Sequence, residues 1–436
     1  MKILFIDTEP IRRGAQIFIS ELSSFLDQLG QQTKIVYLYQ LKNNSDDSIA
    51  LSPNVTYLPG KKDSTFEKFP GVDPVLIRKL LKEITIFSPD VIVANGSRTL
   101  KYSAAVRHFY RGDSLWVARW IDDAEFWNPG IASKLIYSKL ILPQFDACVA
   151  VSQASLDSMI RHYNFKKPGI VIRRVFDPIK FNNAPTKEEA RRKLGLDNTD
   201  EVLLFLGNLT PQKRPDRFLE IVQKLTETRP HLKALIVGDG PLRKELVKQV
   251  KSIEYQVSSK RYQVRNIKYQ ESKDEHQDAS GDDSSVTCAE HGRSIGLQSS
   301  VDPNLSSVIA HQASNIFFIG YQKDVSPYLA ASDILVLTSD TEGLPGVVLE
   351  AAYFKVPAVA SEVGGIRECL IDEETGFLIS DRSVDAFCQK INLLFDYPHQ
   401  RIQLGINAKK FTSEHFQMDK VAKQYLDFFR RNSKNS

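Results

Sequence analysis

The chain alternates short apolar runs with stretches of helical periodicity, and it does so in two consecutive series. This is the pattern of a parallel sheet, whose strands are buried on both faces and whose crossovers are helices. The first series begins with Ile3–Ile6 and a helical stripe of Phe18, Leu22, Phe25, Leu26 and Leu29, stopped by Gly30. It continues with Ile35–Leu38, a helix carrying Ile77, Leu80, Leu81 and Ile84, and the runs Val91–Ala94, Leu115–Ala118 and Ala147–Val151. The second series is Val202–Leu206, Ala234–Val237, Ile316–Ile319, Ile334–Leu337, Ala358–Ala360 and Phe377–Ile379. Two such series in 436 residues predict two doubly wound, Rossmann-like α/β domains facing each other across a cleft. Their expected extents are 1–180 and 181–416. In the remaining 417–436, Val421, Tyr425 and Phe428 share one helical face, so this helix is expected to pack back on the first domain.

Residues 252–312 break the pattern. They are rich in Ser, Asp, Gln and Lys and lack periodic apolar positions, which predicts a flexible insertion in the second domain. The net charge of +4 does not point to nucleic acid as a partner. Its distribution is uneven: residues 1–180 hold 24 Lys and Arg against 18 Asp and Glu, a net +6, which leaves a net −2 elsewhere. A mildly basic first half suits an anionic membrane surface or acceptor, and equally suits ordinary solvated faces. Cys148, Cys288, Cys369 and Cys388 are widely separated, which fits a reducing compartment better than a disulfide framework. The run after Met1 is too short for a signal peptide, and no stretch approaches the roughly 20 apolar residues of a membrane span. The expectation is a cytoplasmic protein with room for peripheral contact at the inner face of a membrane.

The stretch from Ser332 to Ala352 carries the most chemistry. A buried strand leads into a tight turn, Glu342-Gly343-Leu344-Pro345, and a helix starts near Gly346. The free N–H groups and positive dipole end of such a helix suit an anionic or polar ligand. Glu350 lies about one turn further on, roughly 5–6 Å away, so the two carboxylates can reach two parts of one extended ligand. Either Glu alone reads more readily as a solvent-exposed cap, but the strand, the Glu-Gly-Leu-Pro turn and a second Glu eight residues later are together less generic. A hydrolase pair is a second option, but such pairs come from elements facing across a bond, and a strand–turn–helix cradle fits ligand binding better.

This stretch resembles the Glu–seven residues–Glu motif of glycosyltransferase family 4, the retaining group 1 glycosyl transferases of the GT-B fold. The similarity continues through Val356–Glu368, Thr375–Ile379, Gly207–Arg214, Val237–Leu242 and Ile319-Gly320-Tyr321. In the first domain it rests on Arg12–Gln16 and Val151-Ser152. The resemblance implies that Lys213 neutralises the donor diphosphate. It implies that Glu342, with the backbone of Gly343, Leu344 and Pro345, holds the transferred sugar and phosphate. Glu350 would bind the ribose, Tyr321 would lie beside the base, Asn208 would contact the donor, and Gly14 would let the first domain approach the phosphates. Lys213 and Glu342 are thereby the catalytic candidates. The implied substrates are a nucleotide-sugar donor and a glycan or lipid-linked acceptor, with no metal and no further cofactor.

The sequence departs from the family in three places. Asn208 stands where an arginine is usual, with Arg214, or Arg12 and Arg13 of the other domain, as candidates to compensate. Trp116–Glu125 lacks the usual histidine, leaving Asp122 or Asp123 for the cleft or for a helix cap. Arg173–Pro178 replaces the usual Asn-Gly-Val-Asp. These departures keep open a catalytically weak partner subunit that binds a sugar nucleotide. A nicotinamide oxidoreductase is disfavoured, because no G-x-G-x-x-G follows the first strand.

Overall fold

The computed structural model describes residues 1–10, 14–40, 54–60, 71–127, 130–250 and 315–433. The insertion at 252–312, Arg12 and Arg13 lie outside the described residues.

Seven parallel strands form the first sheet: β1 (Lys2–Asp7), β2 (Gln32–Tyr39), β3 (Val55–Gly60), β4 (Val91–Asn95), β5 (Leu115–Trp120), β6 (Ala147–Ala150) and β7 (Gly169–Val171). Their order is β3-β2-β1-β4-β5-β6-β7. The second sheet has six: β8 (Glu201–Leu206), β9 (Leu232–Val237), β10 (Ile316–Gly320), β11 (Ile334–Leu337), β12 (Ala358–Ser361) and β13 (Gly376–Ile379), in the order β10-β9-β8-β11-β12-β13. Among the described residues, every strand pairing is parallel.

The apolar runs explain this arrangement. In β1, Leu4 and Ile6 enter one core while Ile3 and Phe5 enter the core on the opposite face. In β8, Val202 and Leu204 face one way and Leu203 and Phe205 the other. A strand buried on both faces cannot be left at a solvent boundary, so helices cover both sides. β3 and β7, both at sheet edges, escaped the periodicity reading. Val55-Thr56-Tyr57 is only partly buried and ends in Pro59-Gly60, and β7 is three residues long.

The chain direction reverses between β1 and β4 in one sheet and between β8 and β11 in the other. In open parallel sheets the crevice beyond the carboxyl ends of the strands at such points is the place where ligands bind. The two crevices meet at close quarters: a Cβ on Gly343 would lie 1.9 Å from the Ile121 carbonyl oxygen, so only glycine permits this approach.

The C-terminal helix, Met418–Asn432, returns to the first domain. Its Val421, Ala422, Tyr425, Leu426, Phe428 and Phe429 join Ile3, Phe5 and Phe18 in one core. A buried polar chain secures it. Arg119 donates to Tyr425 Oη at 3.2 Å and to Asn95 Oδ1 at 2.7 Å, and Asn95 donates to Asp7 at 2.6 Å. Arg119 is thereby withdrawn from the cleft. Burial pushes the Asp7 carboxyl up to about 6, against hydrogen bonds from Asn95, Thr8 and Gln16 that favour its ionised form.

Candidate functional site

The turn after β11 is held in place by the loop after β8. Thr338 Oγ1 donates to the Lys213 and Arg214 carbonyls at 3.0 and 2.8 Å. Asp340 N donates to Gln212 O at 2.9 Å, and Gln212 Nε2 returns a bond to Thr341 O at 3.1 Å. These contacts present the Lys213 side chain to Glu342. Lys213 Nζ donates to both Glu342 oxygens, at 2.5 and 2.7 Å, and Ser339 Oγ adds a third bond at 2.6 Å. Glu342 is only 5% exposed, so its charge depends on these partners. Leu344 is buried, Pro345 caps the next helix, and Gly346 opens it. Glu350, on the Gly346–Tyr353 helix, accepts from Lys180 Nζ at 3.1 Å.

From the first domain, Ile121 and Asp122 leave β5 directly opposite. Asp122 lines a cavity of about 270 Å³ with Gly96, Lys101, Trp127 and Tyr137 among its walls. Its carboxyl is pushed up to about 6, first by burial and then by the Glu342 charge, with Lys213 and Arg119 opposing. Asp123 does something different: its Oδ1 accepts from the N–H groups of Glu125 and Phe126 and caps the Ala124–Trp127 helix. The two neighbouring aspartates thus divide the two roles that the sequence left open between them.

Other candidates are placed as follows. Gly14 opens the Gly14–Gln28 helix of the first domain. Asn208 is exposed after β8. Tyr321 follows β10, 44% exposed, with β9 and β8 between it and β11. Arg214, a candidate to compensate for Asn208, is paired with two aspartates. It sits in the left-handed region (φ 49°) and is anchored to Asp216 at 2.8 Å and Asp340 at 3.4 Å, which turns it into a brace for the loop. Sequence reasoning missed three contributors: Ser339 behind Glu342, Lys180 on Glu350, and Glu368, which accepts from Gln153 N and Arg173 across the domain boundary. A hydroxyl three residues before Glu342 was a readable signal, whereas the other two depend on tertiary contacts.

Residues 186–271 and 306–411 match the sequence profile described as Glycosyl transferases group 1. The chain belongs to the group 1 glycosyl transferases. The match is interrupted between 271 and 306, inside the segment read from composition as an insertion. Among relatives of this family, N-acetyl-alpha-D-glucosaminyl L-malate synthase of Bacillus anthracis is 23% identical over 289 residues, covering 65% of this chain and 59% of that protein. The UDP-Gal:alpha-D-GlcNAc-diphosphoundecaprenol alpha-1,3-galactosyltransferase of Escherichia coli is 26% identical over 261 residues, 57% of this chain and 51% of that one. The chain thus spans between half and three fifths of the length of these curated relatives. The crystal structure of Anabaena HepE in complex with UDP-glucose superposes with a TM-score of 0.72 at 17% identity, over 99% of this chain and 100% of that one. The two-domain GT-B fold is therefore the fold of this chain.

Proposed function

We propose that this protein is a retaining glycosyltransferase that moves a sugar from a nucleoside diphosphate sugar to a glycan or lipid-linked acceptor. The observation that carries the reading is the Lys213–Glu342 pair at the start of the Gly346–Tyr353 helix, faced by Asp122 from the other domain. Departure of a nucleoside diphosphate builds negative charge on phosphate oxygens. Lys213 and the N–H groups at the helix start, oriented in advance, stabilise that charge as it develops. This role needs neither a metal nor a further cofactor, so turnover is expected to survive a chelator. Glu342 steers Lys213 and accepts hydroxyls of the transferred sugar, and Glu350 accepts those of the ribose. The acceptor hydroxyl attacks on the face that the leaving group vacates, so no enzymic nucleophile intervenes and the anomeric configuration is kept. Closure at Gly343 excludes water and favours transfer over hydrolysis.

The acceptor side is the cavity at Asp122. Beside it the chain exposes Phe126, Trp127, Ile131, Leu135, Ile136 and Leu140, interspersed with Lys134 and Lys139. Apolar side chains mixed with lysines suit the surface of an anionic membrane, with the cavity near the headgroups. The Escherichia coli relative, named for a diphosphoundecaprenol acceptor, supports a lipid-linked substrate.

The test is donor cleavage without acceptor, followed by proton NMR across UDP- and GDP-sugars. Slow release of the nucleoside diphosphate with the sugar first appearing in the donor's own anomeric form is expected. Release of the opposite anomer would contradict retention, and no release or transfer with any donor would leave the partner-subunit reading.

A further inference from the structure

Arg174 lies three residues beyond β7, where the chain crosses from the first domain to the second. Its guanidinium reaches two helix starts at once. A Cβ on Gly14 would stand 2.9 Å from Arg174 Nη1, and a Cβ on Gly346 would stand 2.2 Å from the same atom. Gly14 opens a helix of 15 residues in one domain and Gly346 opens one of 8 residues in the other. A cation has therefore been placed at two positive dipole ends, an arrangement that is unfavourable without an anion.

Among the described residues, no protein group supplies that anion. Among the described residues no carboxylate comes within ion-pair distance of Arg174, and its buried Nε has no hydrogen-bond partner. Glu21, on the Gly14–Gln28 helix, feels the charge of Arg174 but forms no ion pair with it. Among the described residues, the neighbouring bases are committed: Arg173 to Glu368, Lys180 to Glu350, Lys213 to Glu342, and Arg214 to Asp216 and Asp340. A buried guanidinium N–H without an acceptor is a marked exception to the rule that buried donors are satisfied.

We infer that Arg174 binds the donor diphosphate and takes the place of the charge absent at Asn208; this rests on the donor-binding reading above. A guanidinium presents a fork of N–H donors that matches phosphate oxygens, which the Asn208 amide does not. The phosphates lie against the Gly346 helix start, beside Lys213, with Arg174 on their first-domain side. Because Arg174 comes from the crossover and touches both helix starts, diphosphate binding also ties the two domains together. The segment Arg173–Pro178, a departure from the family's pattern, thereby compensates for the departure at Asn208.

The test is calorimetric titration of the full chain with UDP, GDP and the matching nucleosides, using wild type, Arg174→Ala and Arg174→Gln. Arg174→Ala is expected to weaken diphosphate binding about 10- to 100-fold, the scale of a hydrogen bond to a charged group. The nucleoside affinity should stay within about twofold, since no phosphate is present to feel the change. Arg174→Gln keeps a neutral donor of similar length and is expected to show most of the same loss, which covers the case in which the alanine variant folds poorly. Unchanged diphosphate affinity in either folded variant overturns the assignment of Arg174 alone. Equal losses for diphosphate and nucleoside also overturn it, because Arg174 would then be structural. If wild type binds neither diphosphate, the donor-binding reading falls and this inference falls with it.

Discussion

At the scale of single residues, the site is a set of charges that depend on one another. Glu342 is almost fully buried and is held by Lys213 and Ser339, so Lys213 has a structural duty as well as a chemical one. Lys213→Ala is expected to lower turnover about 10²–10³-fold, as removal of one transition-state charge stabiliser does. It should also lower the melting temperature, because an unpaired buried carboxylate remains. Adding Glu342→Gln to Lys213→Ala should recover the melting temperature but not the turnover; recovery of turnover would mean that the pair serves stability alone. Asp122 yields a pH prediction. Its carboxyl titrates at about 6 in the folded chain against 3.8 for an ordinary aspartate. The raised value favours folding below about pH 4, and that contribution is lost as pH rises through about 6. Asp122→Asn is thus expected to raise the melting temperature at pH 8 and to do so progressively less towards pH 4. An equal change at both pH values would show that Asp122 is not held protonated by its surroundings.

At the scale of elements, most of the fold was legible because its strands are doubly buried and therefore read as unbroken apolar runs. Among the described residues, eleven of the thirteen strands correspond to such runs. β3 and β7 were not legible, because an edge strand with Pro59 or three residues around Gly169 carries too little apolar signal. The strand–turn–helix at Glu342 was legible in full, since its turn residues and helix start are local. The anchoring of Arg214 by Asp340 and the buried chain from Asp7 to Tyr425 were not, because those partners lie 24 to 306 residues apart in sequence. The C-terminal helix supports the first domain, so its apolar face should matter well away from any ligand. Phe429→Ala, at a fully buried position, is expected to cost about 3–5 kcal/mol in denaturant unfolding. A loss below about 1 kcal/mol would mean that the helix is not docked in solution. The exposed segment with Phe126, Trp127, Ile131 and Leu140 should bind vesicles containing anionic lipid and release them at high salt. Ile131→Ser with Leu140→Ser should abolish most of that binding in a sedimentation assay while leaving donor affinity intact. Undiminished sedimentation would place the membrane contact elsewhere.

At the scale of the whole molecule, two sheets present their switch points to each other, and the residues argued for donor chemistry stand where they meet. Lys213, Glu342 and Glu350 come from the second domain, Asp122 and Gly14 from the first, and Arg174 from the connection between them. The second domain carries its family likeness in contiguous motifs, and the family was therefore readable there. The first contributes through scattered positions, Asp122 after β5 and Gly14 at the start of its helix, where sequence alone left the roles of Asp122 and Asp123 open. The measurement that bears most directly on this arrangement is the thermal shift of the full chain with a panel of UDP- and GDP-sugars, run with and without a chelator. At least one donor should raise the melting temperature equally in both conditions, and Glu350→Ala should weaken that response. A folded protein that responds to none of them, or only when a divalent metal is present, would contradict the proposed metal-free donor cleft.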